Sequence, residues 1–126
     1  MYKVKVSNSG TSTFNVESKD YKFIIDTKGG GITPPDTLLA SMGSCIGVYI
    51  KKYSEGSNLG LVNFDIIVEA EFSKEPPICF KEISVSIDLK EIKLEERRKK
   101  ALLEFIKNCP VHNTLINKPD VNLEII

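Results

Sequence analysis

The chain has 126 residues, with 17 basic and 17 acidic side chains and no formal net charge. This length suits one compact domain, so we expect residues 1–126 to fold as a single domain. The balanced charge disfavours nucleic acid and anionic membranes as partners, because both attract clustered excess Lys and Arg. No apolar run approaches the ~20 residues that span a bilayer, and the start lacks a secretory signal. We therefore expect a soluble cytoplasmic protein.

The first third of the chain predicts three strands. Apolar and polar residues alternate in residues 2–6 and again in residues 14–16, on either side of a turn. A third strand is predicted over residues 21–26 and is followed by a break at the glycine run 29–31. The first two strands are expected to pair in antiparallel fashion.

A long helix is predicted to begin after Thr33. Thr33 and Asp36 match a capping box around Pro34, which needs no hydrogen-bond donor at the first helical position. Apolar residues then recur at helical spacing as far as Gly56, the predicted stop. Interior glycines are unfavourable in helices, so another backbone is expected to approach the face made of small residues. These residues are Ala40, Gly43, Ser44 and Gly47.

The middle of the chain predicts a hairpin. Residues 62–72 alternate strictly between apolar and polar side chains, as in a half-buried strand. Pro76 and Pro77 turn the chain into a partner strand over residues 78–89. The apolar positions of that strand change phase near Lys81–Glu82, which predicts a β-bulge.

Two helices and a strand are predicted for the remainder. Residues 94–106 carry an apolar stripe on a charged helix. Asn108 or Cys109 is expected to cap a short helix that Pro110 opens. Alternation in residues 121–125 predicts a last strand.

The cysteines Cys45, Cys79 and Cys109 are too few for a disulfide framework and are expected to be thiols. Cys109 lies at a predicted helix N-terminus, where unpaired N–H groups favour a thiolate. His112, the only histidine, follows on the same side of that helix, where its ring can pair with the sulfur or relay a proton. The alternative is that His112 is a surface residue and Cys109 a small capping group.

The local sequence gives less reason to expect a reactive thiol at the other two cysteines. Cys45 is about three turns into an apolar helix, beyond the field of that helix's end, and burial raises a thiol pKa. Cys79 has apolar neighbours and is expected to be structural. No cysteine pair has zinc-site spacing and no phosphate-binding glycine pattern occurs, so we expect no metal and no cofactor.

Residues 34–45 and 108–115 resemble the two cysteine motifs of the OsmC/Ohr family, and the order of elements agrees along nearly the whole chain. The Cys-Pro-Val-His form resembles the general OsmC-like branch more than Ohr proper. The resemblance implies an α+β fold in which antiparallel sheets wrap around a long, cysteine-bearing central helix. It also implies an intertwined homodimer with its active sites at the subunit interface.

The resemblance further implies a thiol peroxidase that reduces organic hydroperoxides, and hydrogen peroxide as a second substrate, in oxidative stress defence. Cys45 would attack the hydroperoxide and become a sulfenic acid, and Cys109 would close a disulfide that a dithiol reductant reopens. The alternative function is a non-enzymatic dimer of the same fold that binds an apolar ligand or acts as a thiol redox sensor.

Active members of the family place an Arg and a Glu beside the thiolate. Here the arginines are Arg97 and Arg98, neither in the N-terminal region, and the Glu position falls on Pro35. A lysine lacks the two-pronged geometry of Arg and is a weaker substitute. The candidates for a supporting role are Asp36, His112, Lys22, Lys28 and a group from a second subunit.

Overall fold

The computed structural model describes residues 1–126, which divide into two compact units, residues 1–40 and 41–126. Both sheets are antiparallel, and a long helix separates them in the sequence, as expected for the α+β fold. No helix combines the length and the hydropathy that a membrane crossing requires. The elements are β1 (Lys5–Ser7), β2 (Thr13–Ser18), β3 (Tyr21–Asp26), α1 (Pro34–Ser57), β4 (Asp65–Phe72), β5 (Phe80–Asp88), α2 (Glu96–Ile106) and α3 (Pro110–Asn117).

The first unit is built on a three-stranded sheet in the order β1-β2-β3. Val16 of β2 lies opposite Val6 of β1 and Phe23 of β3. Side chains alternate between the faces of a strand, so these three share one apolar face. Val16 is buried, whereas Val6 and Phe23 are each about half exposed. The three predicted strands are confirmed, although β1 is shorter than residues 2–6 predicted.

The break after β3 is a hydrogen-bonded turn centred on Asp26. The Asp26 carboxylate accepts hydrogen bonds from the N–H groups of Lys28 and Gly30, each at 2.9 Å. These bonds, led by that from Lys28, hold the pKa of Asp26 below its ordinary value against the opposing effect of burial. A side chain at Gly30 would collide with the carboxylate and would have to displace it from this turn.

Helix α1 begins at the predicted capping pair. The Asp36 N–H donates to the Thr33 hydroxyl at 3.2 Å, and that hydroxyl donates to the Asp36 carboxylate at 2.9 Å. The helix continues past Gly56 to Ser57. Its end is set by Asn58, whose φ of 52° is left-handed, a conformation that asparagine tolerates better than most residues. The predicted stop at Gly56 was therefore slightly early.

In the second unit, strands β4 and β5 form the predicted hairpin, including its bulge. Ala70 lies opposite Ile83 and Phe72 opposite Phe80, so β5 has one extra residue between these pairs. That interval contains Lys81–Glu82, where the change of apolar phase predicted the irregularity. The start of β4 at Asp65 is later than predicted.

The small-residue face of α1 packs against side chains of β4. A Cβ atom at Gly43 would lie 3.0 Å from Val68 Cγ2, and one at Gly47 would lie 3.4 Å from Ile66 Cδ1. At these two glycines, side chains of the chain's own sheet fill the space that was expected to hold another backbone, whereas Ala40 and Ser44 of the same face are exposed. The core beside it consists of Met42, Ile46, Ile50, Leu102, Ile106 and Cys109.

The predicted strand at the C-terminus is absent. Residues 118–126 have no regular secondary structure and pair with no other strand. Val121, Leu123 and Ile125 are 77%, 92% and 102% exposed. Alternation makes a segment compatible with a strand, but a strand forms only beside an edge that accepts its backbone hydrogen bonds.

We predict that Gly47→Leu destabilises the fold by about 1–3 kcal/mol, because the new side chain must displace Ile66 and the neighbouring ring of Phe64. Gly56→Leu is the matched control on the same helix, since nothing lies within 4 Å of a Cβ there. The control should gain up to about 1 kcal/mol from helix propensity. Denaturant unfolding measures both variants, and equal stabilities would contradict the packing described.

Candidate functional site

Cys109 is the N-cap residue of α3. Its Sγ accepts a hydrogen bond from the His112 N–H at 3.5 Å, and Pro110 opens the helix. The Cys109 N–H donates to the Ile106 carbonyl at 3.0 Å, which links α3 directly to the end of α2. Its side chain is 0% exposed. Of the two predicted caps, Cys109 is therefore the one used, and its sulfur lies at the positive end of α3.

Cys45 of α1 lies at the same helix end. Its thiol is hydrogen-bonded to Cys109 and interacts with the backbone N–H of Val111, in the first turn of α3. Both cysteines are free thiols, and Cys45 is partly exposed whereas Cys109 is buried. Cys45 lies about three turns inside α1, away from the end of its own helix as expected, and the backbone N–H that acts on its thiol belongs to α3.

The environment raises the pKa of the Cys45 thiol above its ordinary value of 9.0. Burial is the largest cause, followed by donation of the Cys45 S–H to Cys109. A negative charge on Cys109 raises this pKa further. The Val111 N–H and the positive charge of Lys52 act in the opposite direction but do not outweigh these effects. At neutral pH Cys45 is therefore mostly protonated.

His112 contributes its backbone rather than its ring to the sulfur. The N–H group of His112 bonds Cys109, while the ring Nδ1 is buried and has no hydrogen-bond partner. The predicted pairing of the imidazole with the thiol is therefore not made through Nδ1. The spacing of the two residues nevertheless matters, because the third residue after an N-cap is the one whose N–H the cap accepts.

The other three predicted supporting residues bond to neighbours in the first unit. The Asp36 carboxylate accepts from the hydroxyl of the capping threonine. Lys22 Nζ lies 3.5 Å from the Glu17 carboxylate, and both side chains are exposed. The charge of Lys28 helps to lower the pKa of Asp26. Each of these groups thus interacts with another residue within residues 1–40.

Lys52, whose charge acts on Cys45, was not among the predicted supporting residues. Lys52 follows Cys45 by two helical turns of α1, and its Nζ lies 4.8 Å from the centre of the Tyr49 ring. Cys45, Tyr49 and Lys52 occupy positions that share one helix face. This helical spacing could have been read from the sequence alone. The Val111 N–H could not, because nothing local to Cys45 indicates α3.

Cys79 is an exposed free thiol, although it was expected to be structural. Its apolar neighbours in the sequence suggested burial, but the residue lies immediately before β5, in the connection that closes the hairpin. Its backbone N–H donates to the Ser73 hydroxyl at 3.2 Å. Cys79 is therefore a third thiol outside the site at α3, and its reactivity can be used as a reference for that of Cys45.

Known proteins of similar structure share this architecture. An OsmC-like protein from Mycoplasma pneumoniae aligns with a TM-score of 0.79 at 19% identity, over 94% of this chain and 89% of that one. A putative osmotic stress induced and detoxification response protein from Psychrobacter arcticus aligns with a TM-score of 0.78 at 20% identity, over 90% and 88%. The organic hydroperoxide resistance protein OhrB of Bacillus subtilis aligns with a TM-score of 0.61 at 20% identity, over 97% and 96%.

At these low identities, the TM-scores establish a common fold. No match is found among curated proteins. The sequence profile of the OsmC-like protein family matches residues 27–124, which include both cysteine motifs and most of the chain. The resemblance inferred from the two motifs is thereby confirmed, and the chain belongs to the OsmC-like protein family.

Proposed function

We propose that the protein is a thiol-dependent peroxidase that reduces organic hydroperoxides, and hydrogen peroxide as a second substrate. The observation that carries this proposal is the contact between two free thiols of unequal exposure at one helix N-terminus. Cys45 is the thiol that solvent reaches, and Cys109 is fully buried behind it. An oxidant from solvent therefore meets Cys45 first, which supports Cys45 as the attacking thiol and Cys109 as the resolving one.

The chemistry follows from one proton shared by the pair. When the Cys45 thiolate attacks the outer oxygen of a hydroperoxide, the O–O bond breaks, a sulfenic acid forms and an alkoxide leaves. The alkoxide takes the proton held by Cys109 and departs as the alcohol. The Cys109 thiolate then attacks the sulfenic sulfur and expels hydroxide, which solvent protonates to water. A dithiol reductant supplies two electrons and two protons to reopen the disulfide.

The alternative is a non-enzymatic protein of the same fold. Two observations favour it: the raised pKa of Cys45, and an open cavity of about 630 Å³ between β5 and α2 whose lining is partly apolar and partly charged, with Asp88 and Lys99 among the charged residues. Cavities of this size accommodate small apolar ligands. Val85, Ile87, Leu94 and Leu102 are among its lining residues. Fast reaction of Cys45 with peroxide would favour the peroxidase over the non-enzymatic, ligand-binding alternative.

We propose further that the protein is a homodimer. In the second unit, the alternating C-terminal residues 121–126 expose their apolar side chains without a partner strand. In the first unit, one face of the sheet exposes Val6, Tyr21 and Phe23 at 54%, 78% and 47%. Apolar surface of this extent is typical of a chain that associates with another copy.

We predict that reduced protein loses two thiols on reaction with an organic hydroperoxide and keeps the third, that of Cys79. Cys45→Ser should abolish consumption of the peroxide. Cys109→Ser should permit one oxidation that ends in sulfenic or sulfinic acid. Stopped-flow kinetics with thiol counting measures this, and Cys79→Ser is the matched control. If wild type and Cys45→Ser consume peroxide equally slowly, the non-enzymatic alternative is favoured.

The raised pKa of Cys45 predicts how its reactivity depends on pH. Alkylation of Cys45 should still be accelerating at about pH 9, since the thiolate forms only above the ordinary thiol range. Cys109→Ala removes both the hydrogen-bond acceptor and the like charge, so the pKa should fall and the profile should shift to lower pH. Peptide mass spectrometry at a series of pH values measures this. A profile that stays in place or moves to higher pH would refute the proposed coupling.

We predict that the protein sediments at twice the 14.1 kDa of one chain and buries more than ~2,000 Å² at its interface. Ile125→Lys should weaken the dimer, because it places a charge among the exposed apolar residues of the C-terminus. This residue contributes no packing within one chain, so the variant should unfold like wild type. A stable monomer at micromolar concentration would rule the dimer out.

A further inference from the structure

The positive charge of Lys52 acts on the Cys45 thiol, and the position of Lys52 relative to Cys45 follows from the geometry of α1. Two helical turns separate the residues, about 10 Å along the axis. Long side chains on a helix lean towards its N-terminus, which directs Lys52 back along the face that carries Cys45. Tyr49 lies between them, and Lys52 Nζ is 4.8 Å from the centre of its ring. Lys52 therefore lies over the ring of the residue that stands between it and Cys45 on this helix face.

The Tyr49 ring is itself fixed by packing. Its centre lies 6.0 Å from that of Phe105 in α2, in a tilted arrangement. A cation over an aromatic face is attracted by the quadrupole of the ring, which restricts an otherwise mobile lysine. Phe105 thus positions the Tyr49 ring, and the Tyr49 ring in turn restricts the position of the exposed Lys52 ammonium group.

The charge of Lys52 is not neutralised by an acidic side chain. The four ion pairs of the structure involve Lys22, Lys90, Lys99 and Lys107, and none includes Lys52. The neighbouring Lys51 is also exposed but is rotated by about 100° around the helix, away from the face of Cys45. The helix face that carries Cys45 therefore also carries a positive charge that is held by an aromatic ring and has no ion-pair partner.

We propose that Lys52, held over the Tyr49 ring, makes the approach to Cys45 selective for reagents and substrates that carry a negative charge. The inference rests on the proposed function only in taking Cys45 as the reacting thiol. Lys52 acts at a distance, as a specificity-determining residue rather than as a group that takes part in bond formation. Selectivity arises because a fixed cation attracts an anionic reagent and leaves a neutral one of the same shape unaffected.

Alkylation tests this without any peroxide. Iodoacetate and iodoacetamide are similar in size and attack the same thiolate, so the ratio of their rates at Cys45 cancels the thiolate fraction and reports the local charge. The protein carries Cys79→Ser to remove the exposed thiol, and peptide mass spectrometry follows Cys45. Lys52→Met should lower the ratio of iodoacetate to iodoacetamide about two- to threefold at low ionic strength.

The controls separate charge, position and anchoring. Lys52→Arg and Tyr49→Phe should keep the wild-type ratio, because the first retains the charge and the second retains the ring. Lys51→Met removes the same charge from the adjacent helix position and should change the ratio less. About 1 M salt should reduce the effect of Lys52→Met, since the screening length falls to ~3 Å.

An unchanged ratio in Lys52→Met, or an equal loss in Lys51→Met, would overturn the inference. Its failure is distinguishable from failure of the proposed function, because neither reagent is an oxidant. A protein that discriminates between the reagents but consumes no peroxide would retain the selective thiol and lose the peroxidase assignment. A protein that consumes peroxide but reacts with the two reagents in the same ratio after Lys52→Met would retain the peroxidase assignment and lose the role of Lys52.

Discussion

The N-terminus of α3 can favour negative charge on only one of the two sulfurs that meet there. A helix end carries about half a positive charge, presented through a few unpaired N–H groups. Two of these serve sulfur, Val111 for Cys45 and His112 for Cys109. Two thiolates in contact would repel one another, so the pair retains a proton and the Cys45 S–H donates to Cys109. This competition explains why the pKa of Cys45 is raised at a site that otherwise favours anions.

Helix packing in the second unit brings the sulfurs to that position. The Cys109 N–H bonds the Ile106 carbonyl at the end of α2, which joins α3 to the preceding helix at a tight turn. Helix α1 can approach the hairpin closely because Gly43 has no side chain to displace Val68. The same core that gives stability therefore sets the distance between Cys45 and α3. In the proposed reaction, thiols that a packed scaffold already holds together need little rearrangement before they react.

The groups that lower the pKa of Cys45 are weaker than the groups that raise it. No arginine stands in the N-terminal region of the chain, and the charge of Lys52 is exposed and therefore screened by solvent. A lysine in this position offers a point charge without directed bonds to the sulfur. The balance of burial, Cys109, Val111 and Lys52 thus leaves the thiol protonated at neutral pH. The proposed homodimer offers a second subunit as a further source of a donor.

The sequence by itself determined the features that depend on a few adjacent residues. The capping pair of Thr33 and Asp36, the cap at Cys109 and the bulge at Lys81–Glu82 all formed as predicted, because their hydrogen bonds and side-chain phase are local. Two motifs together also identified the family. Only the tertiary structure decided which groups meet across the chain: Val111 with Cys45, and β4 rather than another backbone with the glycines of α1. The absence of a strand over residues 121–126 has the same explanation. A strand needs the edge of another strand to bond with, and local alternation does not specify that edge.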